Sequence, residues 1–177
     1  MLEQAFTDYL RVEKQYAVNT LQAYSRDLSD FAQFLETQSG ANLFSHEGAT
    51  SVDHRLLRSW MGELMSEGKG ARTVARKLSC IKSYYHFLQK AGYVDHNPAL
   101  RVKVPKFEKK LPAFLKETET EHLLDHLEFP TGFDGIRDRC LLEVLYGCGL
   151  RRAEVISLKK AEVDLYGRQI RVKGKGN

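Results

Sequence analysis

Leu145-Tyr-Gly-Cys-Gly-Leu-Arg-Arg-Ala-Glu154 decides how the second half of this chain is read, together with Ile170-Arg-Val-Lys-Gly-Lys-Gly-Asn177 one hairpin later. An apolar helix stops at the Gly147-Cys148-Gly149 break, and the next helix, expected from Arg151 to Leu158, opens on Arg151 and Arg152. The chain then reads as a short strand that runs into Gly174-Lys175-Gly176. These are anion-handling groups. An arginine offers a planar fork of donors that matches phosphate oxygens and stays protonated, and a helix N-terminus adds positive potential beside it. A lysine between glycines sits on a turn that tolerates positive φ and close approach to a ligand. It serves as a general acid when neighbouring cations lower its pKa. Arg151 and Arg152 are rivals for the first role, and Lys175 and Lys173 for the second. Glu154 shares a helix face with Arg151 and can orient its guanidinium; taken alone, the pair is an ordinary intrahelical ion pair.

Working outward, Thr118 or Thr120 caps a short helix through Leu127, and Phe133–Cys148 forms a longer one. Its Ile136, Cys140, Leu141, Val144, Leu145 and Cys148 are expected to point inward, and Tyr146 reads as packing. From Val163 the pattern changes to strand: Val163-Asp-Leu, a Tyr166-Gly167 turn, then Gln169-Ile-Arg-Val-Lys. Four helical patterns fill the first 93 residues. Leu2, Phe6, Tyr9 and Leu10 mark the first. Asn19 or Thr20 caps a second with Leu21, Tyr24, Leu28, Phe31 and Leu35 on one face. A polar loop from Gly40 to Thr50 follows. Ser51 or Asp53 caps a third helix with Leu57, Trp60, Met61, Leu64 and Met65, and the fourth runs from about Ala71 to Ala91. The expected fold is mainly α: a four-helix domain over 1–97, a basic linker over 98–112, and a second, α+β domain over 113–177 with a partial hairpin.

The net charge is only +4, but it is unevenly placed. Residues 1–100 hold 11 bases and 11 acids, 111–177 again hold 11 and 11, and Arg101–Lys110 holds five bases and one acid. From Gly68 to Val94 there is no acid, while Lys69, Arg72, Arg76, Lys77, Lys82 and Lys90 are basic. On a helical wheel Val74, Leu78, Ile81, Tyr85 and Leu88 gather on one side. Lys69, Arg72, Arg76, Ser79, Ser83 and Lys90 gather opposite, with His86 at the margin. Bases and hydroxyls in this arrangement suit phosphates and major-groove base edges; a solvated basic face is the plain alternative. Lys103, Lys106, Lys109 and Lys110 of the linker suit a sugar-phosphate backbone.

Other chemistry is poorly supplied. His122 and His126 are four apart without a third ligand or a catalytic glutamate, so no metal is expected. There is no glycine loop of the Walker type, so no nucleotide is expected. Three cysteines, Cys80, Cys140 and Cys148, all lie in apolar helical contexts and read as core residues in a reducing, cytoplasmic compartment. No apolar run approaches the roughly 18 residues of a membrane span, and no signal peptide opens the chain.

Gly149-Leu-Arg-Arg and Gly174-Lys-Gly, at this spacing, resemble the first half of the active site of the tyrosine recombinase (phage integrase) family, Xer-like branch. The resemblance assigns Arg151 to the scissile phosphate, Lys175 to protonation of the leaving 5′-oxygen, and Glu154 to a supporting place. Thr73-Val-Ala-Arg-Lys-Leu-Ser-Cys-Ile-Lys-Ser83 resembles the family helix that lies in the major groove, which would recruit Lys69, Arg72, Arg76, Lys77, Ser79, Lys82 and Ser83. Thr20, Tyr24 and Arg26 fall on the family's other groove-facing helix, with Tyr24 better read as core. The fold implied is a SAM-like core-binding domain followed by the beginning of a catalytic domain. The activity implied is site-specific recombination through a 3′-phosphotyrosyl intermediate, without cofactor. The implied partners are duplex DNA with an inverted-repeat site and a homo- or hetero-tetramer of protomers. Chromosome dimer resolution and mobile-element integration both fit. No histidine here is followed by arginine three residues later. The family's His-x-x-Arg element and its nucleophilic tyrosine are therefore expected beyond Asn177, and none of the eight tyrosines is taken as nucleophile. Two rivals stand beside this reading: a non-catalytic DNA-binding module of the same fold, and a helical protein-interaction domain with an incidental basic face.

Overall fold

The computed structural model describes residues 2–104, 116–172 and 174. They fall into two compact units, Met1–Lys110 and Leu111–Asn177. In the first unit, α1 (Leu2–Val12) buries Leu2, Phe6, Tyr9 and Leu10 on one stripe. The second helix, α2 (Val18–Ser39), buries Leu28, Phe31, Phe34 and Leu35, and with them an acid, Asp27. It starts earlier than its polar residues suggest. The N–H groups of Thr20 and Leu21 both donate to Ala17 O, so Ala17 is the cap, without a side-chain bond, and Asn19 and Thr20 lie inside the helix.

The expected polar loop from Gly40 holds a further helix, α3 (His46–Ser51), capped by Ser45 Oγ, which accepts from Gly48 N–H at 3.0 Å. Six residues are too few for a hydrophobic period to show. Gly48 is what lets it pack: a Cβ there would stand 1.8 Å from the carbonyl oxygen of Asn42. Asp53 then caps α4 (His54–Ser66), its Oδ1 accepting from Arg55 N–H at 2.9 Å and Leu56 N–H at 2.8 Å. These bonds, the Leu56 one first, hold the Asp53 carboxyl below the usual carboxylate range.

The central element is α5 (Ala71–Lys90), which packs on α1, α2 and α4. Its Tyr84 and Tyr85 are at most 1% exposed and donate their hydroxyls to Leu43 O (3.3 Å) and Ala49 O (2.9 Å). Buried phenols need such partners. Phe31 and Trp60 meet at 4.8 Å between ring centres and join α2 to α4. The chain does not leave this core after Asn97, where the expected linker, 98–112, begins. Pro98–Arg101 forms a 3-10 turn, Asn97 donates to Lys82 O at 3.0 Å, and Pro98, Ala99 and Val102 are buried. Proline stops α-helix, but its fixed φ suits a tight turn, and the apolar residues beside it find cover on α4 and α5.

The second unit contains α6 (Glu117–His126), α7 (Phe133–Cys148) and α8 (Arg152–Ser157). Lys116, not a threonine, stands at the start of α6 and receives the N–H groups of Glu119 and Thr120. A 3-10 turn, Lys160–Glu162, leads into β1 (Val163–Asp164), antiparallel to β2 (Gln169–Ile170), with Val163 opposite Ile170. The tip is an Asx turn: Asp164 Oδ1 accepts from Tyr166 and Gly167 N–H at 3.0 and 2.8 Å. The face of α7 expected to point inward does not. Ile136 is 72% exposed and Tyr146 48%, Leu141, Cys140 and Cys148 are exposed, and Val144 and Leu145 are half-buried. Among the residues of this unit whose side chains are described, only Gly135 is buried. Helical periodicity reveals a face suited to burial; the cover must come from other elements, and none of the described ones supplies it.

Candidate nucleic-acid interface and phosphate-handling residues

The wheel drawn from the sequence holds for α5. Val74, Leu78, Ile81, Tyr85 and Leu88 are at most 1% exposed. Opposite them Arg72, Arg76, Ser79, His86 and Lys90 are exposed, Lys69 is exposed just before the helix, and Lys82 and Ser83 are half-buried. On α2, Thr20 is half-buried and Arg26 is exposed, with its Nε donating to Gln22 O at 3.3 Å. Tyr24 is half-buried against the Tyr16 ring, 5.7 Å between centres, and its backbone carbonyl accepts from Cys80 Sγ. Burial first, then the neighbouring Tyr16, raises its hydroxyl's pKa. Lys103 is exposed at the end of the first unit. Lys106, Lys109 and Lys110 lie outside the described residues.

Lys77 does not share the exposed face. Its residue is only 5% exposed, and its Nζ donates to Asp27 Oδ1 at 3.3 Å and to Asp30 Oδ2. Three residues from Val74 and four from Ile81, it lies on the buried side of the wheel and points into the α2–α5 seam, where two carboxylates satisfy an ammonium that burial would otherwise make costly. An ammonium so held has no route to a phosphate without breaking both bonds. The other oxygen of Asp27, Oδ2, accepts from Arg76 NH1, so one buried carboxylate joins two neighbouring bases of α5. Further along, Lys90 Nζ donates to Glu13 Oε2 at 2.8 Å, which raises the lysine's pKa. A stretch without acids in the sequence is thus met in space by Asp27, Asp30 and Glu13. Asp27 itself escaped the sequence reading. The available signal was an acid beside Leu28 in the apolar stripe of Tyr24, Phe31 and Leu35.

In the second unit, Gly149 ends α7 with φ 61°, a left-handed conformation that suits glycine. The reversal brings Arg151 to the N-cap of α8, one position outside the helix it was expected to open. Glu154 folds back on it: Oε2 accepts from Arg151 N–H and Oε1 from Arg151 NH1, both at 2.7 Å. The backbone bond first, then the guanidinium, holds the Glu154 carboxyl below its ordinary range. The Arg151 side chain remains 66% exposed, with guanidinium donors left over for an anion. Arg152 is exposed as the first helical residue. Lys173 and Lys175 lie outside the described residues.

Residues 4–92 match the phage integrase N-terminal SAM-like domain, and residues 113–177 match the phage integrase family. The chain belongs to the phage integrase family. Tyrosine recombinase XerC of Chlorobaculum tepidum is 36% identical over 191 residues, covering 97% of this chain and 55% of the relative. XerC of Pelotomaculum thermopropionicum is 37% identical over 171 residues, with 96% and 55% covered. The chain therefore spans about 55% of the length of these curated relatives. In fold it resembles the integrase from mycobacterium phage Brujita, with TM-score 0.52 and 20% identity over 100% of this chain and 55% of that one.

In this integrase-family chain the remaining candidates contribute little. His122 Nδ1 and His126 Nδ1 stand 2.6 Å apart and share a hollow of about 330 Å³ with Glu119 and Leu127. Among the described residues no group of three or more metal-ligating side chains forms. Nor is any helix there long and apolar enough to cross a membrane.

Proposed function

We propose that this chain binds duplex DNA through α5 and α2 and is part of a Xer-like, site-specific tyrosine recombinase. The observation that carries the reading is the row of Lys69, Arg72, Arg76 and Ser79, exposed opposite a fully buried apolar face, within a SAM-like domain of the integrase family. Arginine and lysine on such a row engage phosphates, and serine and arginine can reach base edges in the major groove. Lys82 and Ser83 border the row, Thr20 and Arg26 extend it onto α2, and Lys103 and Lys106 follow the backbone outside the groove.

In the catalytic unit Arg151 holds the scissile phosphate, Glu154 positions the guanidinium, and Lys175 delivers a proton to the leaving 5′-oxygen. In the whole recombinase a tyrosine oxygen attacks the phosphorus. The P–O5′ bond breaks as the 3′-phosphotyrosyl bond forms, and the reverse step joins the exchanged strand. The covalent link conserves the bond energy, so strand exchange needs no nucleotide hydrolysis. A tetramer of protomers on an inverted-repeat site completes the assembly. These 177 residues carry Arg151 and Lys175 but no His-x-x-Arg element with a tyrosine after it, so we read the chain as one that binds DNA without cutting it.

The test is fluorescence anisotropy with a labelled duplex across a salt series. Affinity should fall linearly with salt on logarithmic axes. R72E/R76E should lower it by at least about fifty-fold near 0.1 M salt, because two phosphate contacts carry a slope of about 1.8. Unchanged affinity refutes the face assignment. Binding indifferent to salt points instead to a protein-interaction domain. A covalent protein–DNA adduct on a nicked suicide duplex would overturn the non-cleaving reading.

A further inference from the structure

The guanidinium of Arg76, an exposed base of the α5 row, is tied to a buried acid on the other helix of the proposed interface. Asp27 has a carboxylate only 4% exposed, while the Arg76 side chain is 53% exposed. A buried group therefore holds an exposed one. Asp27 is in turn held from its other oxygen by Lys77, whose side chain is 7% exposed and which also reaches Asp30. The carboxylate thus has two partners on α5 and little freedom of its own. An arginine carries five N–H donors, and the bond to Asp27 uses one, leaving the rest of the fork for a ligand. A side chain fixed before binding loses less freedom on binding.

There is an opposing effect. The same carboxylate places a negative charge beside the bases meant for phosphate, which weakens attraction to any DNA regardless of sequence. Fixing the fork helps contacts that demand one geometry; the added negative charge penalises those that demand only charge.

We propose that Asp27 is a positioning residue for Arg76, which trades non-specific DNA affinity for discrimination among DNA sequences. This rests on the reading of α5 as a DNA-binding helix. Arg76 is the contact residue, Asp27 acts through it, and Lys77 and Asp30 support Asp27 from behind.

The experiment uses the 177-residue chain, a random-sequence duplex, and a duplex enriched from a random library by the wild-type protein. D27N keeps the side-chain shape and removes the charge. It should bind the random duplex about three- to ten-fold more tightly at low salt, with a salt slope steeper by about 0.9, the value for one added cation. Its preference for the enriched over the random duplex should fall at least five-fold (roughly 1 kcal/mol). D30N removes one charge from the same network without touching Arg76, so it should leave that preference unchanged; a structural or bulk-charge role would move both variants alike. Where D27N alone does not fold, D27N/K77M removes the ammonium left behind in the seam, and the preference is read there. Side-chain NMR gives a second readout without DNA: the Arg76 Nε–H should be ordered in the wild type and mobile in D27N. A preference that survives D27N, or that D30N lowers equally, overturns the proposal and leaves DNA binding intact. A wild-type chain with no salt-dependent affinity for either duplex overturns the DNA reading and this proposal with it.

Discussion

Lys77 offers a direct test of what holds α2 to α5. Removing one partner of a buried ion pair commonly costs about 3–5 kcal/mol, because it strands the opposite charge. Here the stranding is partial. Asp27 keeps Arg76, and Asp30 is 52% exposed and can turn to water. Lys77→Met also retains most of the alkyl stem that fills the seam. The expected loss is therefore nearer 2 kcal/mol, which for a domain of this size lowers the thermal midpoint by about 8–16 °C. Trp60 is the single tryptophan and is 2% exposed in the core of the first unit, so its fluorescence reports on that unit. Urea titration followed at Trp60 should show a lower midpoint with an unchanged slope. Asp30→Asn, at the exposed end of the network, should cost under 1 kcal/mol, the range of exposed pairs. A loss below about 0.5 kcal/mol for Lys77→Met, or an equal cost for Asp30→Asn, refutes this role for the buried ammonium.

Two further outcomes follow from local geometry. Asp53→Ala should lose about 1 kcal/mol at neutral pH, the usual worth of an N-cap. The folded carboxyl is held below its ordinary value, so the charged cap stabilises fully above the unfolded value of about 3.9 and that contribution disappears as pH falls through the lower folded value. The Trp60 midpoints of the two proteins should converge in acid; a gap that persists there argues against the cap. Thiol labelling should show two rapidly reacting cysteines, Cys140 and Cys148, and one protected until unfolding, Cys80, whose burial pushes its pKa up. Rapid labelling of all three, or protection of Cys140 and Cys148, contradicts the burial described here.

Much of the first unit was readable because long amphipathic helices repeat their apolar residues at a fixed period. Leu57, Trp60, Met61 and Leu64 on α4, and Val74, Leu78, Ile81, Tyr85 and Leu88 on α5, are buried as that period requires. Short elements carry no such period. Hence the sequence shows only a polar loop where α3 lies, and only a proline-bearing basic stretch where the turn at Pro98 packs Ala99 and Val102 on the core. The apolar stripe of α7 was legible as a stripe, but its exposure was not, because burial is a property of the partner as well as of the helix.

The candidate site divides the same way. Gly-Leu-Arg, with Glu154 three residues on, is a local device: Gly149 reverses the chain, and a glutamate one turn along reaches back to Arg151 N–H and guanidinium. That device is contained in ten consecutive residues, so its local form is legible in the sequence. The charge of the α5 surface is not local. Gly68 to Val94 contains no acid, yet Arg76 meets Asp27 from 49 residues away, Lys77 meets Asp30 from 47, and Lys90 meets Glu13 from 77. Coulomb energy falls with distance in space and takes no account of distance along the chain. Sequence therefore determined which helix carries the bases, and only the packing of α1 and α2 against it decided which of them meet acids and which face solvent.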